Sequence, residues 1–225
     1  KMTVRAGRSR FNLQTLPATD YPRITLGTEQ LQTLTLPQKD LRSLFKLAEF
    51  AMAQQDIRYY LNGMLLVVDG TTVRAVATDG HRLALCEVQK DSASAKIEEI
   101  IPRKTILELS RLLPDNEDPV RVQMAATQVK FSFGNIELIS KLVEGKFPDY
   151  QRVVPAANNK VFVIGREDLM HALQRAAILT TDKFKGVRLV LAPGALKINS
   201  TNADQEDAQE ELEIDYSGDA LDIGF

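Results

Sequence analysis

The stretch Ala77–Ala84, reading ATDGHRLA, puts an aspartate, a histidine and an arginine side by side in a chain whose only histidines are His81 and His171. Asp79 and His81 are two apart, so on a strand their side chains leave the same face, and an aspartate beside a histidine is half of a hydrolase triad. The sequence offers no other half. It has no G-x-S-x-G elbow, no histidine pair near Cys86, and no paired-carboxylate or Gly-rich phosphate motif. One cysteine and two distant histidines cannot assemble a zinc site of the usual kind, and no cofactor is expected. A plainer reading of Thr78-Asp79-Gly80-His81 is a turn at the end of a strand, since Asp-Gly is a turn dipeptide and aspartate bonds its own backbone. A hydrolase-like enzyme using Asp79 and His81 is the alternative reading.

The chain that must position these residues has 225 residues, a formal charge of −2 and charges of both signs spread through it, the balance of a folded protein. No apolar run approaches the roughly 18 residues that cross a bilayer, and the first residues lack the apolar core of a signal peptide, so a cytoplasmic location is expected. The charge is unevenly placed. Lys1, Arg5, Arg8 and Arg10 open the chain without an acid, while Asn202–Phe225 holds only acids.

Three unrelated segments recur at one long spacing. Arg10–Pro22 and Asn135–Pro148 share an alternating strand, a leucine (Leu16, Leu142) and an aromatic–proline pair (Tyr21-Pro22, Phe147-Pro148), about 126 residues apart. LTLPQKDLRSLFKLAEFAM matches FVIGREDLMHALQRAAILT, each read as a strand followed by a helix. The first helix carries Leu41, Leu44, Phe45, Ala48 and Met52 on one stripe, and the second carries Leu169, Ala172, Leu173 and Ala176. Hairpins through Asp69-Gly70 and Pro193-Gly194 complete the match. A further helix is predicted over Pro102–Leu113, with proline at the first helical position and Ile106, Leu109 and Leu113 on one face. The repeat predicts an α+β fold built from modules of roughly 120–130 residues, one whole and two partial. The divisions expected are 1–30 as the tail of a preceding module, 31–150 as a complete module, and 151–225 as a connector plus the first half of another. The chain stops within an alternating strand, which leads to the expectation that it is a fragment.

RYYLNGMLL, VATDGHRLA, IIPRKTILEL, SKLVEGKFPDYQRV, RAAILTTDKFKGVRL and YSGDALDIGF, in that order, resemble the bacterial sliding clamp family, the beta subunit of DNA polymerase III. The resemblance implies a DNA-clamp fold, with antiparallel sheets and two helices per module, the helices lining the inner face of a ring. It implies a non-enzymatic processivity factor that encircles duplex DNA without reading its sequence. Polymerase, clamp-loader subunits and repair proteins would bind through short Gln-Leu-x-Leu-Phe-like motifs. The full-length protein would form a head-to-tail homodimer, and a fragment of this extent would be monomeric.

Carried over position by position, the resemblance assigns a partner-peptide groove to Leu61, Thr78, Gly80, His81, Arg82, Leu83, Pro148, Arg152 and Val153. Leu61, Leu83, Pro148 and Val153 would form an apolar floor, Gly80 would admit a close backbone, and Arg82 and Arg152 would donate at the rim. Gln55, Arg58, Tyr59, Tyr60, Arg103 and Lys104 would face DNA, meeting phosphates rather than bases. His171 is expected to be structural or solvent-facing. Met52, Met64, Met124 and Met170 are expected to fill core, with Met64 near the groove.

Overall fold

The computed structural model describes residues 1–22, 24–29, 31–181 and 186–225, so the Asp182–Lys185 part of one quoted motif lies outside the described residues. The chain divides into two compact units, Lys1–Pro148 and Asp149–Phe225.

The first unit opens with a hairpin, β1 (Met2–Ala6) and β2 (Ser9–Leu13), in which every residue is exposed. The hairpin contributes nothing to the core. Strand β3 (Gln32–Pro37) leads directly into α1 (Gln38–Ala48), and Pro37 holds the N-cap with φ −58° and ψ 142°. β4 (Gly63–Thr78) and β5 (Leu83–Pro102) follow, then α2 (Arg103–Leu112) behind a second N-cap proline, Pro102, at φ −57° and ψ 142°. Pro102 therefore precedes the helix rather than opening it. β6 (Pro119–Ala125), β7 (Gln128–Phe133) and β8 (Ile136–Lys141) complete the unit in a sheet of order β3-β6-β7-β8.

Alternation along β6 and β7 decides which side chains turn inward. Val120, Val122 and Met124 of β6 and Val129, Phe131 and Phe133 of β7 are buried, every second residue of each strand. They join Leu41, Leu44, Phe45 and Ala48 of α1 and Ile106 and Leu109 of α2 in one core. Phe45 meets Phe131 edge to face, with ring centroids 6.4 Å apart. Each such buried side chain contributes roughly 1.5–3 kcal/mol relative to exposure. Met52 is buried as expected, but past the end of α1, after a short 3-10 turn over Glu49–Ala51. Met64 and Met124 are also buried, whereas Met170 is only half-buried.

In the second unit α3 (Arg166–Ala176) packs on a sheet built from β9 (Arg188–Ala192), β10 (Ala195–Thr201), β11 (Asp207–Glu213) and β12 (Leu221–Gly224), in the order β11-β10-β9-β12. Ala172 and Ala176 bury against Leu191, Leu196, Ile198, Ile214 and Tyr216. Ser200 Oγ donates to the Ala176 carbonyl, and Tyr216 Oη donates to the Asp219 carbonyl at 2.6 Å.

The repeat is visible in the pairing. Residues 72–78 pair with 83–89 and 63–68 with 97–102, as β10 pairs with β11 and β9 with β12. Gly194, in the turn between β9 and β10, has φ +77°, and Gly70, where the β4 register breaks, has φ +58°. Left-handed backbone of this kind favours glycine. Two further expectations fail: Asp69-Gly70, read as a hairpin turn, lies inside β4 where its register breaks, and residues 162–165, read as a strand before α3, form none. A strand exists through its partner. β3 has β6 beside it, and among the described residues of the second unit no strand takes the place of β6.

Candidate peptide-binding turn and basic surface

The connection from β4 to β5 is the stretch 79–82, so ATDGHRLA is a hairpin end. Two side chains build it. Thr78 Oγ1 donates to the Arg82 carbonyl at 2.7 Å and accepts the Gly80 N–H at 3.1 Å. Asp79 Oδ1 accepts the backbone N–H groups of His81 and Arg82 at 2.9 and 3.0 Å, and Oδ2 accepts Arg82 Nε–H at 3.1 Å. Partial burial works to raise the Asp79 carboxyl, but these donors outweigh it and hold the group below its ordinary range. A triad would need the Asp79 carboxylate on the His81 ring; it is instead spent on the backbone that orients His81 and Arg82.

With that turn fixed, His81 and Arg82 are exposed, Leu83 is half-buried at the start of β5, and Gly80 is exposed at φ +90°. The Arg82 guanidinium lies over the Phe50 ring, 5.5 Å from its centroid, an exposed cation–π contact. Thr78, which bonds the turn, and Leu61, on the 3-10 turn Tyr59–Leu61, are buried at 9% and 2% exposure. Pro148 is exposed at the end of the first unit. Arg152 and Val153 belong to the second unit, exposed on a 3-10 turn over Tyr150–Arg152, with Arg152 Nε 2.9 Å from the Asp149 carboxylate.

The residues expected to face DNA gather after α1 and at the start of α2. Gln55 is exposed with φ +56°, Tyr59 is exposed, and Tyr60 is half-buried, the two rings meeting edge to face at 5.9 Å. Lys104 is exposed, and the Arg103 side chain donates to the Met52 carbonyl at 3.4 Å. Arg58 differs from the rest. Its Nε and Nη2 clasp the Asp56 carboxylate at 3.0 and 2.8 Å, and Nη2 also reaches the Asp79 carbonyl at 3.2 Å. The Arg58 guanidinium, and then its backbone N–H, lower the Asp56 carboxyl to about 2.

A recess of about 330 Å3 is lined by Phe50, Asp56, Asp79, His81, Arg82 and Arg103 among others. It joins two sets of residues that the sequence assigned to separate surfaces. Sequence reasoning missed Phe50, Asp56 and Asn62. Phe50 stands off the stripe of α1 and is more than half exposed, a signal that it serves a surface. Nothing in local spacing marks Asp56 and Asn62. His171 is exposed on α3. Among the described residues, no group of three or more His, Cys, Asp or Glu side chains is placed to hold a metal, and no helix is long and apolar enough to cross a membrane.

Residues 35–149 match the family model for the DNA polymerase III beta subunit, central domain, and residues 151–225 match that for its C-terminal domain. The beta sliding clamp of Pseudomonas putida is 51% identical over the whole of this chain, which spans 61% of that protein's length. A crystal structure of the DNA polymerase III subunit beta from Pseudomonas aeruginosa superposes with a TM-score of 0.92 at 47% identity, over 99% of this chain and 61% of that one. The sliding clamp of the same organism bound to griselimycin gives a TM-score of 0.91 at 47% identity, over 99% of this chain and 60% of that one. The chain is thus a member of the DNA polymerase III beta subunit family, the bacterial sliding clamps.

Proposed function

We propose that the protein works as a sliding clamp, a processivity factor that encircles duplex DNA and tethers polymerase, clamp-loader and repair proteins by their short peptide motifs, with no catalytic site of its own. The observation that carries this reading is the hairpin end at Asp79–Arg82. It spends its acid on its own backbone and so presents His81, Arg82 and Leu83 as a fixed binding edge. The groove takes in Gly80–Leu83, and the family resemblance adds Leu61, Thr78, Pro148, Arg152 and Val153. Residues 1–30, 31–150 and 151–225 correspond to parts of three successive clamp modules. The working location is the cytoplasm; the ring around DNA is the head-to-tail homodimer of the full-length protein, and this chain by itself is monomeric.

A Gln-Leu-x-Leu-Phe peptide titrated into the protein is the direct test. Binding that falls about tenfold in His81→Ala, ~1.4 kcal/mol, supports the groove. Chemical-shift mapping in which His81 and Leu83 stay still while other residues move rejects it. The basic surface is tested separately by the salt dependence of DNA binding. Lys104→Ala should lower the magnitude of the log–log slope by about 1, the signature of one lost phosphate contact.

A further inference from the structure

Arg58 stands in sequence beside the tyrosines assigned to the DNA side, but its side chain is committed elsewhere. Of the five N–H donors of its guanidinium, two bind the Asp56 carboxylate and one of these nitrogens also serves the Asp79 carbonyl. Asp56 is itself fixed. Its backbone N–H donates to Asn62 Oδ1 at 2.9 Å, and its carbonyl accepts Asn62 Nδ2–H at 2.8 Å. Arg58 also gives its own backbone N–H to Asp56 Oδ1 at 2.8 Å. The guanidinium therefore hangs from a braced carboxylate and presses on the hairpin end.

Gly80 is the residue it presses on. A Cβ built there would stand 3.0 and 3.1 Å from Arg58 Nη1 and Nη2, so the absence of a side chain is what lets the edge of the guanidinium come this close to the turn. The contact falls between Asp79, which orients His81 and Arg82, and the binding edge those residues form.

We propose that Arg58 is a positioning residue of the peptide groove, which bridges braced Asp56 to the Asp79 carbonyl and so fixes where His81, Arg82 and Leu83 meet a partner's peptide. The proposal rests on the groove reading above. It assigns to peptide binding a residue whose position in the sequence points to DNA. The planar fork is required, because a lysine ammonium cannot hold a carboxylate with two parallel bonds and reach a carbonyl at once.

The test uses the whole chain as wild type, Arg58→Ala, Arg58→Lys, Asp56→Asn and the double variant Arg58→Ala/Asp56→Asn. It reads peptide affinity, DNA affinity and the backbone amide shifts of Gly80, His81 and Arg82 without peptide. The expected result is a loss of about tenfold in peptide affinity for Arg58→Ala, no rescue by lysine, and a double variant no weaker than Arg58→Ala alone, since both changes cut one bridge. The turn amides shift in each variant before peptide is added. Wild-type peptide affinity in Arg58→Ala together with a loss of DNA affinity overturns the proposal and returns Arg58 to the DNA side. Unmoved turn amides overturn it as well. A wild-type chain that binds no peptide fells the groove reading and this proposal with it, whereas peptide binding that depends on His81 but not on Arg58 fells this proposal alone.

Discussion

Asp56 is the residue whose chemistry departs furthest from the ordinary, and the departure has a sign. Its carboxyl lies at about 2 in the folded protein against an ordinary 3.8, chiefly because the Arg58 guanidinium bonds the ionised form. A depressed carboxyl stabilises the fold fully above its unfolded value, and that contribution fades as the pH falls from near 4 towards 2. An NMR titration should place the Asp56 midpoint near 2 in wild type and return it to the ordinary carboxylate range in Arg58→Ala. Tyr216 offers a second measurement. Its buried hydroxyl donates to the Asp219 carbonyl, so Tyr216→Phe should cost about 1 kcal/mol of unfolding free energy in denaturant titration. The turn at Asp79-Gly80 was legible in the sequence because aspartate and glycine act locally there, through bonds spanning two and three residues. The Arg58 bridge was not, because its far end reaches a carbonyl 21 positions away, which no local spacing marks.

Elements were legible where one period held and a partner was at hand. The stripes of α1 and α2 and the turn at Pro193-Gly194 appear as read. The strand expected at residues 162–165 did not form, because a match in sequence cannot supply the neighbouring backbone that makes a ladder. Pro37 and Pro102, at nearly identical dihedrals, show how one device serves two helices: each proline ends its strand and fixes the angle at which the helix leaves it. The two helices then meet over one sheet, where Phe131 is wholly buried against Phe45. Phe131→Ala should therefore destabilise the first unit by about 3–5 kcal/mol, visible as a lower denaturant midpoint with little change in slope.

At the scale of the whole molecule, the two units differ most in what they bury. Among the described residues, the first buries apolar side chains from two helices and from β3 to β7, while the second rests on seven, two of them on its one helix, α3, and five against it. Amide hydrogen exchange should accordingly protect β6 and β7 more strongly than β9 and β10, and equal protection would contradict this reading of the cores. The repeat was readable because corresponding strands keep their order, as the matching pairings of the two units show. The role proposed for Gly80–Leu83 needed the family resemblance, because a repeat reveals what copies share and is silent on what one copy does alone. The chain has no tryptophan and only five tyrosines, so its near-ultraviolet absorption and emission arise from few rings. Two of those five, Tyr59 and Tyr60, are coupled edge to face on the surface assigned to DNA. The protein thus carries a built-in optical reporter there, and circular dichroism near 280 nm or tyrosine emission can follow events at that surface without an attached label.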